Sequence, residues 1–256
     1  MSSRPPLMDR FMKLASPRVA ADFAPPPQQL APDLWALDRE LKMPGGPRLP
    51  SRSTIIRLEG GGLVVISPPA LGESSGIDAL GTVEQVVLPN SLHHLFASEF
   101  MARHPGARLF AAPGLHERVP GLPPAEVLGA GTPGPWPGEL EFAVLGPARG
   151  ISEVVFFHVR SGTLILTDIA FNLRRIERPF ERIFWRLFGV PDAFGPTRNA
   201  RLVLLRDRAA VSRCLSQAAR WPIQRIVVAH GDAVEENAKS EFLRAFSSYL
   251  PEPGTA

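Results

Sequence analysis

The chain has 256 residues, of which 45% are hydrophobic and 21% are charged, and its formal net charge is +3. These values are typical of a globular protein that buries a full core. The arginines are scattered along the chain, most densely in "RRIERPFERIFWR", and form no tract with interleaved aromatics, which argues against nucleic acid as a partner. No apolar run approaches the ~20 residues that cross a bilayer, so we expect no transmembrane segment.

One cysteine, Cys214, excludes an intrachain disulfide framework and fits a reducing compartment. It lies within a helical pattern, where a small buried side chain is the expected role rather than a nucleophile. The basic, proline-bearing N-terminus lacks the apolar core of a secretory signal. We therefore expect a cytoplasmic protein.

Proline-rich segments mark the predicted domain boundaries. "APPPQQLAPD" separates a flexible N-terminal arm, residues 1–30, from a single domain at 31–250, and residues 251–256 form a tail.

The first half of the domain begins with short β-like segments. "STIIRL" and "GLVVIS" are joined through three glycines, which predicts a hairpin. "GIDALG" is interpreted as a short helix and "VEQVVL" as an apolar strand. The helix "HLFASEFMARH" then ends at His104-Pro105, because proline cannot continue it.

The second half repeats this order. "EVVFFHV" and "GTLILTD" predict a hairpin through Ser161-Gly162, followed by helical segments and the strand "IQRIVVA". The segment 179–190 is apolar on one face and basic on the other. We interpret it as a core helix with extended arginines, although it could also cap a pocket, contact a partner or lie on an anionic membrane surface. The pattern predicts an α/β domain with two similar halves.

Three apolar strands end in side chains that can bind a metal. His93 and His94 follow "VVLPN", Asp168 ends "TLILTD", and His230 ends "RIVVAH". Each alone is more typical of a turn or a helix cap. Together they indicate a metal site, since ligands collect where strands end and Zn²⁺, Fe or Mn²⁺ binds imidazole and carboxylate.

At these residues the chain resembles the metallo-β-lactamase-fold superfamily, as a divergent branch of unknown function. The resemblance spans residues 31–250 and rests on the opening hairpins, "VVLPNSLHHLF", "LILTDIAFN" and "IVVAHGD". It implies a four-layer αβ/βα sandwich, with two mixed sheets flanked by helices and a metal site along their shared edge.

The chain departs from the superfamily pattern His-x-His-x-Asp-His. It has Asn90 near the first histidine, and the later His-Thr-Pro-Gly loop has no histidine. The implied metal ligands are four residues, with Asn90 and Glu153 as polar neighbours. These four are His93, His94, Asp168 and His230, of which Asp168 and His94 are also the candidate catalytic residues. Glu153 or His158 could substitute for the histidine that the loop lacks.

Four ligands would make a closed structural site, whereas three would leave a position for water. The resemblance therefore implies a mononuclear metal-dependent hydrolase, with zinc, or else iron or manganese, as cofactor. The superfamily's substrates include thioesters, lactones, phosphodiesters and β-lactams, and nothing selects a small-molecule substrate among them. The alternative is a non-catalytic descendant whose reduced site binds a small molecule or a partner.

Overall fold

The computed structural model describes residues 18–20, 23–43, 46–70, 76–148, 151–174, 176 and 178–251. Residues 1–17 of the predicted arm and 252–256 of the predicted tail lie outside this range. The strands are β1 Arg18–Val19, β2 Gln28–Ala31, β3 Leu34–Lys42, β4 Arg48–Arg57, β5 Leu63–Ile66, β6 Val83–Leu88, β7 Arg108–Ala111, β8 Glu126–Val127, β9 Leu140–Ala148, β10 Ile151–His158, β11 Thr163–Leu166 and β12 Arg225–Val228. The helices are α1 Ala97–Arg103, α2 Leu115–Arg118, α3 Pro179–Leu187, α4 Arg198–Val203, α5 Arg208–Ala218 and α6 Ala238–Phe246, with a 3-10 turn at Ser247–Tyr249.

The strands form two mixed sheets. The first contains eight strands in the order β1-β3-β4-β5-β6-β7-β8, with β2 also paired to β3. The second contains four strands in the order β12-β11-β10-β9. The predicted hairpins β4–β5 and β10–β11 are both present and antiparallel. Because β1 and β2 pair with β3, part of the stretch assigned to the arm belongs to the first sheet.

Alternation along the strands separates the core into layers. On β6, Val87 packs between the two sheets, whereas its neighbours Val86 and Leu88 pack against α1 and α2 on the outer face. On β10, Phe156 faces the space between the sheets and Phe157 faces the layer of α5 and α6. This is the period-two pattern of strands buried on both faces. The predicted four-layer αβ/βα sandwich is confirmed.

Two predicted elements differ from the structure. Residues 78–80 of "GIDALG" form a turn rather than a helix, because glycines at both ends leave too few residues to nucleate one. The apolar stripe of α3 is solvent-exposed, with Phe180 62% and Leu187 71% accessible, so α3 is not the core helix that its pattern suggested. Among the described residues, no helix has the length and apolar character needed to span a bilayer.

Candidate metal centre

Asp168 and His230 are placed side by side by two parallel strands. Strands β11 and β12 pair in register, with Leu166 opposite Val228. Asp168 and His230 each follow two residues after that last pair. Their side chains therefore leave the sheet on the same side at the same level, although 61 residues separate them in sequence.

A turn built on Asn90 presents His93 to the same point. The Asn90 side-chain oxygen accepts hydrogen bonds from the backbone N–H groups of Leu92 and His93, at 2.8 and 3.0 Å. Its amide nitrogen donates to Asp168 Oδ2 at 2.8 Å and to Thr167 Oγ1 at 2.9 Å. The buried side chain of Asn90 thus holds the turn that carries His93, after the first sheet, and also holds the carboxylate of Asp168, after a strand of the second sheet.

The ring of His230 is held in place by Pro50 and Phe171. Its Nδ1 lies 2.7 Å from the carbonyl oxygen of Pro50 on β4. A carbonyl only accepts hydrogen bonds, so Nδ1 carries a proton and Nε2 is the ring nitrogen turned toward Asp168. The ring of Phe171 packs against that of His230, with 4.4 Å between centroids. Nε2 therefore faces the cluster with little rotational freedom.

Three ligand atoms converge. His93 Nε2 lies 3.3 Å from Asp168 Oδ2, and His230 Nε2 lies 3.3 Å from Asp168 Oδ1. One ligand atom from each residue falls within 4.8 Å of the others. Zinc bonds of about 2.0–2.2 Å separate tetrahedral ligands by about 3.3–3.6 Å. Two imidazoles, one carboxylate and this spacing fit a single divalent metal ion.

The charge state of the cluster favours a cation. Burial opposes ionisation of Asp168, but the ion pairs and hydrogen bonds with His93 and His230 outweigh it and hold the pKa of this carboxyl well below its usual range. Asp168 is therefore a carboxylate at every physiological pH. The cluster carries one full negative charge against two imidazoles, which suits a divalent ion.

Glu153 is a second buried carboxyl group, close to Asp168. It is fully buried, and its Oε1 accepts a hydrogen bond from the Thr167 backbone N–H at 2.9 Å. Burial, reinforced by the negative charge of Asp168, raises the pKa of Glu153 to about 7. Glu153 thus stays a polar neighbour that supports the strand carrying Asp168, and it is not one of the converging ligands.

Two candidate histidines lie outside the cluster. Among the described residues, the converging group contains His93 but not its neighbour His94, which the sequence had treated as both ligand and catalytic residue. The carbonyl of His94 instead accepts a hydrogen bond from Ala97 at the start of α1, and burial lowers the pKa of its imidazole. His158 is the last residue of β10, at the other end of this strand from Glu153, and its Nδ1 lies 2.7 Å from Ser161 Oγ.

Several supporting groups were not identified from the sequence. Thr167 carries no catalytic signature, and the contribution of Pro50 is a backbone carbonyl. Gly231 could have been noticed, since it follows His230 directly. Its φ is +110°, and a Cβ there would lie 2.2 Å from the carbonyl oxygen of Asn172. Only glycine permits this close crossing of the two site loops.

Residues 32–183 match the family described as a domain of unknown function (DUF4336). The chain belongs to the DUF4336 family. Comparison with curated proteins gave no match. This DUF4336 chain resembles the DIM-1 metallo-β-lactamase, with a TM-score of 0.61 and 11% identity over 89% of this chain and 99% of that one.

Two other solved structures give similar values. The metallo-β-lactamase FIM-1 from Pseudomonas aeruginosa, in a mono-zinc form, has a TM-score of 0.59 and 15% identity over 89% of this chain and 97% of that one. The Flv1 flavodiiron core from Synechocystis sp. PCC6803 has a TM-score of 0.58 and 13% identity over 91% of this chain and 61% of that one. At these identities the likeness establishes the fold alone. The DUF4336 protein thus has the metallo-β-lactamase fold.

Proposed function

We propose that this DUF4336 protein is a metal-dependent hydrolase with one metal ion held by His93, Asp168 and His230. The observation that carries the proposal is the convergence of their ligand atoms, two pairs of which lie 3.3 Å apart. Three protein ligands match the catalytic class of zinc sites, which keeps an open position, rather than the closed structural class. Zinc is the first candidate, with iron or manganese as alternatives that use the same donors.

The surrounding residues have defined roles in this proposal. Asp168 supplies the anionic ligand, and Asn90 holds that carboxylate through its amide. Pro50 keeps the His230 proton on Nδ1, so Nε2 remains a donor to metal. When bound at three protein ligands, zinc lowers the pKa of water to about 7 and so supplies a nucleophile at neutral pH.

The experiment is a hydrolysis panel of thioester, lactone, phosphodiester and β-lactam substrates, run with zinc-, iron- and manganese-loaded protein. We expect turnover of one class by the parent chain, its loss in Asp168→Ala and His230→Ala, and its retention in His94→Ala. Turnover that survives both ligand substitutions would contradict the proposal, because it would not depend on this site.

A second candidate is a non-catalytic protein whose reduced site binds a small molecule or partner. It is favoured by the burial of the cluster: the side chains of His93, Asp168 and His230 are only 8%, 12% and 5% exposed. Metal binding without turnover on the whole panel would support this alternative. We also propose that the protein is cytoplasmic, since its one cysteine, Cys214, is a buried free thiol.

A further inference from the structure

Helix α3 turns its apolar stripe away from the protein. Phe180, Ile183, Leu187 and Phe188 are 62%, 59%, 71% and 51% exposed. Their spacing of three, four and one residues puts them on one side of the helix. A surface helix normally directs such a stripe into the core. Contiguous apolar groups left in solvent mark a contact surface.

The other side of α3 is firmly attached, which fixes the stripe in its outward orientation. Trp185 is buried, and its Nε1 donates a hydrogen bond to the Arg48 carbonyl at 3.1 Å. Glu181 accepts a hydrogen bond from the Arg48 N–H at 3.3 Å. Trp185 also belongs to an apolar cluster with Leu49 and Phe171. The contacts of Trp185 and Glu181 therefore hold the apolar stripe in its solvent-exposed orientation.

Positive charge is concentrated in the same segment. Residues 172–208 contain nine arginines and four carboxylates, a net charge of +5, whereas the whole chain carries +3. Arg198 donates a hydrogen bond to the Leu187 carbonyl, which places this arginine at the end of the stripe. Three other arginines of the segment pair with carboxylates: Arg174 with Glu241, Arg178 with Glu181 and Arg186 with Asp192. These pairs leave the segment with an excess of positive charge, so the surface that meets the stripe must accept apolar groups beside positive charge.

Charge excludes two simple occupants. A second copy of this chain would bring one +5 segment against another. Residues 1–17 contain three basic side chains and one acidic side chain, so they too are repelled. The complementary occupant is anionic and amphipathic.

We propose that α3 binds in the plane of an anionic phospholipid surface. The stripe enters the boundary between headgroups and acyl chains, and Arg198, at the end of the stripe, is placed to contact lipid phosphates. The stripe side chains are more than half exposed, so they form a ridge that suits a planar surface rather than a groove that would enclose a peptide. Phe171 links the α3 cluster to His230, so the attached surface lies beside the candidate metal centre.

The test is flotation of the full chain with vesicles of phosphatidylcholine alone or with about 30% phosphatidylserine, at about 0.1 M salt. We expect binding to the anionic vesicles only. The double variant Phe180→Ser with Leu187→Ser should lower binding at least about tenfold, since it removes two large inserted side chains. The matched control, Val127→Ser with Leu243→Ser, changes exposed apolar residues outside α3 and should bind like the parent.

Equal binding of the parent chain to both vesicle types, or none, overturns the proposal. Unchanged binding of the α3 double variant overturns it as well. If the parent chain is a dimer that this variant dissociates, and neither binds vesicles, the surface joins two copies and the lipid proposal is wrong. Thermal unfolding verifies that both double variants keep the fold. The metal content of the chain has no bearing on these outcomes.

Discussion

His230 Nδ1 lies 2.7 Å from the carbonyl oxygen of Pro50, 180 residues earlier in the chain. This contact joins the end of β12 in the second sheet to β4 in the first. Arg52 strengthens the same junction, because its backbone N–H donates to the Ala229 carbonyl at 2.8 Å. The candidate metal centre therefore lies where hydrogen bonds join the two sheets, and the positions of its three side chains depend on that junction.

Ligand substitutions should affect metal affinity unequally. His93→Ala, Asp168→Ala and His230→Ala each remove one of three converging donors and should weaken zinc affinity at least about tenfold. His94→Ala changes the adjacent residue and should leave affinity within about twofold, because His94 lies outside the cluster. Competitive titration with a zinc chelator gives the four constants. Equal losses in His93→Ala and His94→Ala would contradict the assignment.

Gly231→Ala should destabilise the fold by several kcal/mol. The new Cβ meets the Asn172 carbonyl oxygen at 2.2 Å, and φ is +110°. Gly61 provides the matched control, since its φ is +87° but nothing lies within 4 Å of an added Cβ. Gly61→Ala should cost only about 1–2 kcal/mol of backbone strain. Urea unfolding of both variants measures the difference, and equal losses would show that the loop crossing is not tightly packed.

The stability of metal-free protein should fall between about pH 4.5 and 7 because of Glu153. Burial and the charge of Asp168 raise the pKa of Glu153 to about 7, so the folded state holds its proton more tightly than the unfolded state. The resulting stabilisation is complete below the unfolded pKa and is lost as the pH rises through 7. The lowered pKa of Asp168 acts only below about pH 4, where stability is lost as the pH falls.

Glu153→Gln isolates this effect, because the amide keeps an acceptor oxygen but does not titrate. The parent chain should lose stability relative to this variant by up to about 1.4 kcal/mol per pH unit within that window. Urea unfolding in the presence of a chelator provides the comparison. Parallel pH profiles for the two proteins would show that Glu153 titrates normally.

Cys214 should resist alkylation in the native protein. Burial, assisted by the charge of Glu153, raises the pKa of its thiol to about 12, so almost no thiolate is present at pH 8. Mass spectrometry after iodoacetamide treatment should find an unmodified native chain and full modification in urea. Rapid native labelling would mean that the helix carrying Cys214 opens readily.

The strand-end residues were predictable because apolar runs end visibly in the sequence. Asp168 and His230 follow strands whose pairing places them together, and the sequence names both as candidate ligands. The choice between His93 and His94 was not predictable, since it depends on a turn whose shape is set by Asn90 accepting two backbone N–H groups.

The orientation of α3 could not be predicted from its own sequence pattern either. A helical period identifies an apolar stripe but does not say which side meets the protein. Here Trp185 and Glu181 decide this through the backbone of Arg48, which is distant in sequence. Contacts made through backbone groups leave no pattern in the side chains.

Elemental analysis of the chain purified without added metal decides whether His93, Asp168 and His230 hold an ion. We expect close to one equivalent of zinc, iron or manganese per chain, lost in Asp168→Ala and His230→Ala. Less than about a tenth of an equivalent, with no rise in the unfolding temperature on adding Zn²⁺ or Mn²⁺, would contradict this expectation, because an ion that binds the folded state must stabilise it.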